Sequence, residues 1–374
     1  MRRLLRISIL VLAAATLAGC ANFAPKRPDI PVALINDAAV GPLTTAKLRY
    51  WGDDPEFAAG HTRVKPGSDG RVDFLTLSGG GINGAYGAGY LVGWSQSGKR
   101  PEFEVVTGIS VGAIIAPLAL LGPKYDGRLH QVFESLSQAS NPKANVLSAV
   151  FGAPAMLDNA PVRRAIALSV DEQVLSEVAA AHRAGRRLYV GTTNLDAQRP
   201  VVWDIGAIAN STLPDKLQLV REIILASTAV PTVFSPVLID VDAQGVSYNE
   251  MHVDGGVTEQ VLLMPGGWGK VGNASSARLY VIFNGVVDAS PTTVQMTSMR
   301  LLERSLPTLL KYLGRANLAE LANSARRSGV KYNITAIPGS FPESDSLFGS
   351  PQWLAQLYQY GLDSGKMGSW REQG

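Results

Sequence analysis

The chain has 374 residues, 46% of them hydrophobic and 17% charged, with a formal net charge of +3. No basic stripe runs through it, which excludes nucleic acid as a partner. It holds one cysteine, Cys20, so no disulfide is possible and stability must come from the core.

The first element is a leader. Arg2, Arg3 and Arg6 form a basic segment, and Ile7–Leu17 is apolar but too short to span a bilayer. Residues 1–19 therefore read as a signal peptide. The leader ends in Leu17-Ala18-Gly19-Cys20, which resembles the lipobox of bacterial lipoproteins. That resemblance implies a lipidated Cys20 and, through several acyl chains, stable anchoring. Ala21 follows rather than Asp, which by the same analogy implies the outer membrane of a bacterial cell envelope. Cleavage removes three of 34 basic residues and no acids, leaving the mature chain near neutral against 31 acids. Residues 20–46 read as the lipidated N-terminus and tether, since Asn22–Val40 is rich in Pro, Ala and polar residues.

Val72–Leu77 reads as a buried strand, followed by Ser78-Gly79-Gly80-Gly81-Ile82-Asn83-Gly84 and a helix over Ala85–Ser95. Adjacent glycines at a helix start leave N–H groups bare, ready for an anion. Two uses fit: a nucleotide phosphate, since Gly79-x-Gly81-x-x-Gly84 matches the dinucleotide fingerprint, or an oxyanion. The nucleotide use wants an acid ending the next strand. Glu102 and Glu104 only precede or begin that strand; Ser110 ends it, in Gly108-Ile109-Ser110-Val111-Gly112, and a helix over Ala113–Leu121 follows. Strand, sharp turn and helix with a serine at the apex favour the oxyanion use, the helix start supplying further N–H groups.

Leu188–Asn194 and Val201–Ile205 read as strands around a turn at Asp196–Arg199, and Val220–Ala226 as a helix. Thr193, Asn194 and Asp204 read as turn and strand residues. A serine hydroxyl needs a base. The four histidines, His61, His130, His182 and His252, offer no convincing candidate, whereas Asp254-Gly255-Gly256 presents a carboxylate in a tight turn. Asp240 and Asp242 are its rivals. Arg278–Phe283 and Lys331–Ile337 read as strands. Val294–Leu313 and Asn317–Arg327 read as amphipathic helices with Met296, Met299, Leu301 and Leu302 in the core, and Trp353–Leu362 as a closing helix. Trp353, Tyr358, Tyr360 and Trp370 read as core-packing aromatics. Alternating strands and helices predict an α/β fold, a three-layer α/β/α sandwich around a mostly parallel sheet.

Gly79–Gly84, Gly108–Gly112 and Asp254–Gly256, in that order, together with Ala226–Pro236, resemble the patatin-like phospholipase family over about residues 72–260. The resemblance implies a catalytic core over 72–267, with 268–374 completing the same domain. It implies a Ser110–Asp254 dyad working through an acyl-enzyme on a phospholipid or other acyl-lipid ester, with no cofactor and no metal. The oxyanion donors would be Gly79, Gly80, Gly81 and Val111; Gly84, Gly108, Gly112, Gly255 and Gly256 would be the motif glycines. Acyl transfer by the same dyad, or a non-catalytic lipoprotein scaffold, are the alternatives. One departure stands out: many members carry Arg or Lys where this chain has Asn83, so a fixed positive charge there is missing.

Overall fold

The computed structural model describes residues 27–41, 47–54, 64–138, 158–262, 277–344 and 349–373, the side chains of 299, 303, 372 and 373 excepted. The leader, Cys20 and the first part of the expected tether lie outside these residues.

A mixed sheet runs through the middle. Its parallel centre is β3 (Val105–Ile109), β2 (Val72–Leu77), β8 (Ala277–Val286) and β9 (Lys331–Ile337), with β4 (Arg187–Asn194) parallel to β3 on the other side. β1 (Arg49–Trp51) and β5 (Arg199–Asp204) extend the β4 side, and β10 (Arg371–Gln373) pairs antiparallel with β9. Every residue of β2 is buried, because helices cover both faces of a central parallel strand. Leu75 and Leu77 point into one core, Val72 and Phe74 into the other.

The first core lies under α1 (Gly84–Gln96), α2 (Val111–Leu121), α3 (Asp126–Gln138), α4 (Ala160–Ser169), α5 (Glu172–Arg183), α6 (Ile205–Asn210), α7 (Lys216–Ser227) and α9 (Pro351–Met367). The second lies under the C-terminal half of α8 (Ser298–Arg327), through Leu318, Leu321, Ala322 and Ala325. The fold is thus the three-layer α/β/α sandwich. α1 and α9 touch backbone to backbone: a Cβ at Gly89 would lie 2.1 Å from the Tyr358 carbonyl, and one at Gly365 2.1 Å from that of Tyr90.

One arrangement places the site. β4 is flanked by β3 only over its first half, where Ile109 pairs with Gly191. Beyond that point β7 (Val246–Asp254), the second arm of a hairpin with β6 (Val237–Ala243), takes the vacated position antiparallel, with Thr192 opposite Asp254. The C-terminal ends of β3 and β7 therefore meet head to head.

Several expectations are revised. The segment up to Val40 is no free tether over its described part: Ile30 and Ile35 are buried against Val241 and Ala243, and Ala39 bridges to Asp242. The two helices expected over 294–327 are one continuous helix starting at Ser298. Gly314 does not break it, because the ring of Phe283 packs where a Cβ would stand. Met296, Leu301 and Leu302 are not core; Met296 is 95% exposed. Helix α9 does not close the chain, since β10 follows it, and Trp370 packs edge-on against Tyr90 and Trp94.

Candidate active site

Ser110 follows β3 directly, at the carboxyl end of the sheet. The turn is tight enough that a Cβ at Gly108 would lie 2.4 Å from the Gly112 carbonyl, and one at Gly112 2.4 Å from that of Leu77. This close approach forces Ser110 to φ 55°, ψ −126°, a conformation an L-residue holds only when its surroundings impose it. Part of that restraint is Ser227 at the end of α7. Its Oγ accepts from the Ser110 N–H at 2.9 Å and donates to the Gly191 carbonyl at 2.7 Å.

Asp254 arrives from the other direction at the end of β7. Its N–H donates to the Ala229 carbonyl at 3.0 Å, and its own carbonyl accepts from Thr193 Oγ1 at 3.0 Å. Its Oδ1 accepts from the Gly256 N–H at 2.7 Å, and its Oδ2 accepts from Ser110 Oγ at 2.7 Å. Both side chains are buried. Burial pushes the Asp254 carboxyl up to about 7, against the opposing pull of the bonds from Ser110 and Gly256. A carboxylate with that affinity for a proton, in contact with a hydroxyl, can accept and return the proton near neutral pH.

The glycine loop is fixed from below by Asn284 of β8. The Asn284 N–H donates to Ser78 Oγ at 2.7 Å and its Nδ2 to the Ser78 carbonyl at 2.9 Å. Gly80 has φ 149°, and a Cβ there would lie 2.0 Å from the Asn284 carbonyl. Gly79, one of the expected oxyanion donors, has its N–H already committed to the Gln260 carbonyl at 3.0 Å. Among the described residues, the N–H groups of Gly80, Gly81 and Val111 meet no protein acceptor. Gly81 and Val111 line the same cavity as Ser110.

Gln260 ties the parts together. Its carbonyl holds Gly79, its Nε2 donates to the Gly256 carbonyl at 2.8 Å, and its own N–H donates to Asn317 Oδ1 of α8 at 2.9 Å. Sequence reading missed Gln260, Asn284 and Ser227 as site residues. Only Ser227 left a trace, as part of Ala226–Pro236.

The rivals fall elsewhere. His252 is fully buried beside Trp203, bonded to Thr192 Oγ1 and to Glu250, which pairs with Arg49. Burial holds the imidazole below its usual value, against the pull of Glu250. Asp240 and Asp242 face solvent on β6 and accept from Asn249 and Ser247. Glu104 lies at the start of β3 and accepts from the Asp73 N–H. His182 belongs to α5 beside Asp204, His130 pairs with Glu134, and His61 lies outside the described residues. No group of three or more His, Cys, Asp or Glu suited to a metal occurs among the described residues.

Ser110 opens into a cavity of about 940 Å³ between α1, α3, α4 and α9. Its walls are largely apolar, with Ile82, Ile114, Phe133, Val162, Phe234 and Leu354 among them.

VipD from Legionella pneumophila aligns at 11% identity and TM-score 0.35, over 88% of this chain and 73% of its own. Full-length ExoU from the type III secretion system of Pseudomonas aeruginosa, solved with SpcU, aligns at 14% identity and TM-score 0.35, over 90% of this chain and 61% of that one. No curated protein sequence matches the chain. Residues 75–265, just over half of the chain, match the family model for patatin-like phospholipase. With the glycine loop, the Ser110 turn and Asp254-Gly255-Gly256 all inside that stretch, the chain belongs to the patatin-like phospholipase family.

Proposed function

We propose that the protein is a lipid acyl hydrolase of the phospholipase A or lysophospholipase type, cutting carboxylic esters with Ser110 and Asp254. The observation that carries the reading is the 2.7 Å bond from Ser110 Oγ to Asp254 Oδ2 at the wall of an apolar cavity. The cavity takes an acyl chain. Ser110 Oγ adds to the ester carbonyl carbon while its proton passes to Asp254. The N–H groups of Gly80, Gly81 and Val111 hold the oxyanion. Collapse breaks the bond to the alcohol oxygen, which leaves with the proton from Asp254. A water, giving its proton to the same carboxylate, then releases the fatty acid and regenerates the hydroxyl.

Support for attachment to the cell envelope through an acylated Cys20 comes from Leu17-Ala18-Gly19-Cys20 alone. Mass spectrometry of the protein purified from its membrane tests this; an unmodified Cys20 refutes the anchor and leaves the chemistry standing. For the chemistry, a fluorophosphonate should label the native protein on Ser110, and Ser110→Ala should abolish both label and fatty-acid release from phospholipid. Undiminished release by Ser110→Ala overturns the proposal.

A further inference from the structure

Helix α8 changes character halfway along. From Gly314 onward its residues are buried at 314, 317, 318, 321, 322 and 325, the spacing of a helix lying on a sheet. Before Gly314 no described side chain is buried. This earlier stretch is far from polar. Leu302, Leu306 and Leu309 form one stripe along it, with Leu301 and Tyr312 beside them; Leu302 is 63% exposed and Leu309 67%. Met296 stands just ahead of the helix.

Soluble proteins seldom leave such a stripe in water without a use for it. Around it the charge is lopsided. Residues 294–315 carry Arg300, Arg304, Lys311 and Arg315 against Glu303. Arg304 and Lys311 reach the carbonyls of Ser290 and Asp288, and Arg315 lies over the Tyr312 ring. Asp288 and Glu343 are the acids near Lys311. Apolar residues on one stripe and cations on the opposite, polar side of the same turns match a helix lying in a membrane interface.

Its position fits. Helix α8 follows β8, so it starts at the carboxyl end of the sheet, where Ser110 also lies. Asn317, one turn beyond the projecting stretch, holds Gln260, which bridges Gly79 and Gly256.

We propose that the first turns of α8, Ser298 to Leu313, dock on a phospholipid surface containing anionic lipid, with Leu302, Leu306 and Leu309 entering the acyl region. The proposal rests on the lipid-hydrolase reading only for its purpose.

The test separates the two. Cys20 is the only cysteine, so the full chain carrying Cys20→Ser and Ser110→Ala accepts one environment-sensitive fluorophore at a chosen position. One version carries Leu309→Cys, the control Asn323→Cys on the exposed side of the same helix's second half. Vesicles of phosphatidylcholine with about one third phosphatidylglycerol should shift the label at 309 to the blue and leave that at 323 unchanged. Adding Leu302→Asp should raise the vesicle concentration for half-maximal shift about ten-fold. Arg300→Gln with Arg304→Gln, or vesicles of phosphatidylcholine alone, should weaken it as well. An unshifted label at 309, or one shifting equally with neutral vesicles, overturns the proposal. So does a shift that grows with protein concentration in the absence of vesicles, which would mean a second copy covers the stripe. None of these results depends on catalysis.

Discussion

Replacing Asp254 by asparagine should stabilise the protein in alkali while destroying its chemistry. Burial moves this carboxyl from an ordinary 3.8 to about 7. Between those values the folded protein binds a proton that the unfolded chain does not, so stability from this group is lost as pH rises through that window. The rise from 3.8 to about 7 corresponds to about 4 kcal/mol held against the fold above pH 7. Asparagine keeps the shape and can still accept from the Gly256 N–H, and the pull of the Ser110 bond is already contained in the value of about 7. The gain is up to about 4 kcal/mol at pH 9, or roughly 6 °C for a chain of this size. At pH 4.5 both folded proteins carry a neutral group and the gain should shrink to about 1 kcal/mol, because only the unfolded carboxyl is then ionised. Thermal melts of wild type and Asp254→Asn at the two pH values measure the difference. Hydrolysis of a dispersed short-chain ester supplies the other half. Wild-type kcat/KM should rise about ten-fold per pH unit below pH 7 and level off above it, and Asp254→Asn should fall by about 10³. A variant less stable by the same margin at both pH values would refute the view of Asp254 as a carboxylate ionised against its surroundings.

Three further outcomes are expected. His252→Gln should keep ester hydrolysis within a few-fold of wild type while melting earlier, because it disturbs the buried contact with Glu250; loss as deep as that of Asp254→Asn would make His252 the base. Gly81→Val has open space for its Cβ but not for its φ of 56°, so the N–H must turn, and kcat should drop by about 10²–10³. Near-normal kcat in the folded variant would mean the oxyanion is held elsewhere. Gly80 is a poorer probe, since a Cβ there strikes the Asn284 carbonyl and should cost stability too. Gln260→Ala should lower kcat about ten-fold at nearly constant KM, and Gln260→Glu should not rescue it, because a carboxylate cannot donate to the Gly256 carbonyl; unchanged kcat in either would deny Gln260 a positioning role.

How much of this was legible in the sequence depended on what each part demanded locally. The Ser110 turn and the glycine loop were readable because backbones that approach within a carbonyl's reach tolerate only glycine at fixed spacing. Lys331–Ile337 was readable to the residue, since an apolar strand bounded by Gly329 and Pro338 has little freedom at its ends. The role of Gln260 was not readable, because it acts largely through its backbone and its partners lie in three separate segments. Asn284 sits inside an ordinary apolar strand, and nothing in the neighbouring residues signals that it faces Ser78. The split of α8 was misread for a physical reason: leucines at helical spacing look the same whether a sheet or some other apolar phase is to receive them.

The insertion of β7 beside β4 makes the hydroxyl–carboxylate contact a gauge of strand register. Ser110 and Asp254 are 144 positions apart in the chain, and three residue pairs fix how the second is delivered to the first. Side chains alternate across a strand, so a slip of one residue would turn the carboxylate to the opposite face and bring Val253 or Gly255 into its place. During folding the helices and the parallel strands can form while this alignment is still wrong. A chain in that condition would pass for native by its helix content and have no carboxylate beside its serine. If the proposed chemistry holds, recovery of hydrolysis after dilution from denaturant should report the pairing of β4 with β7 and should not precede the recovery of secondary structure.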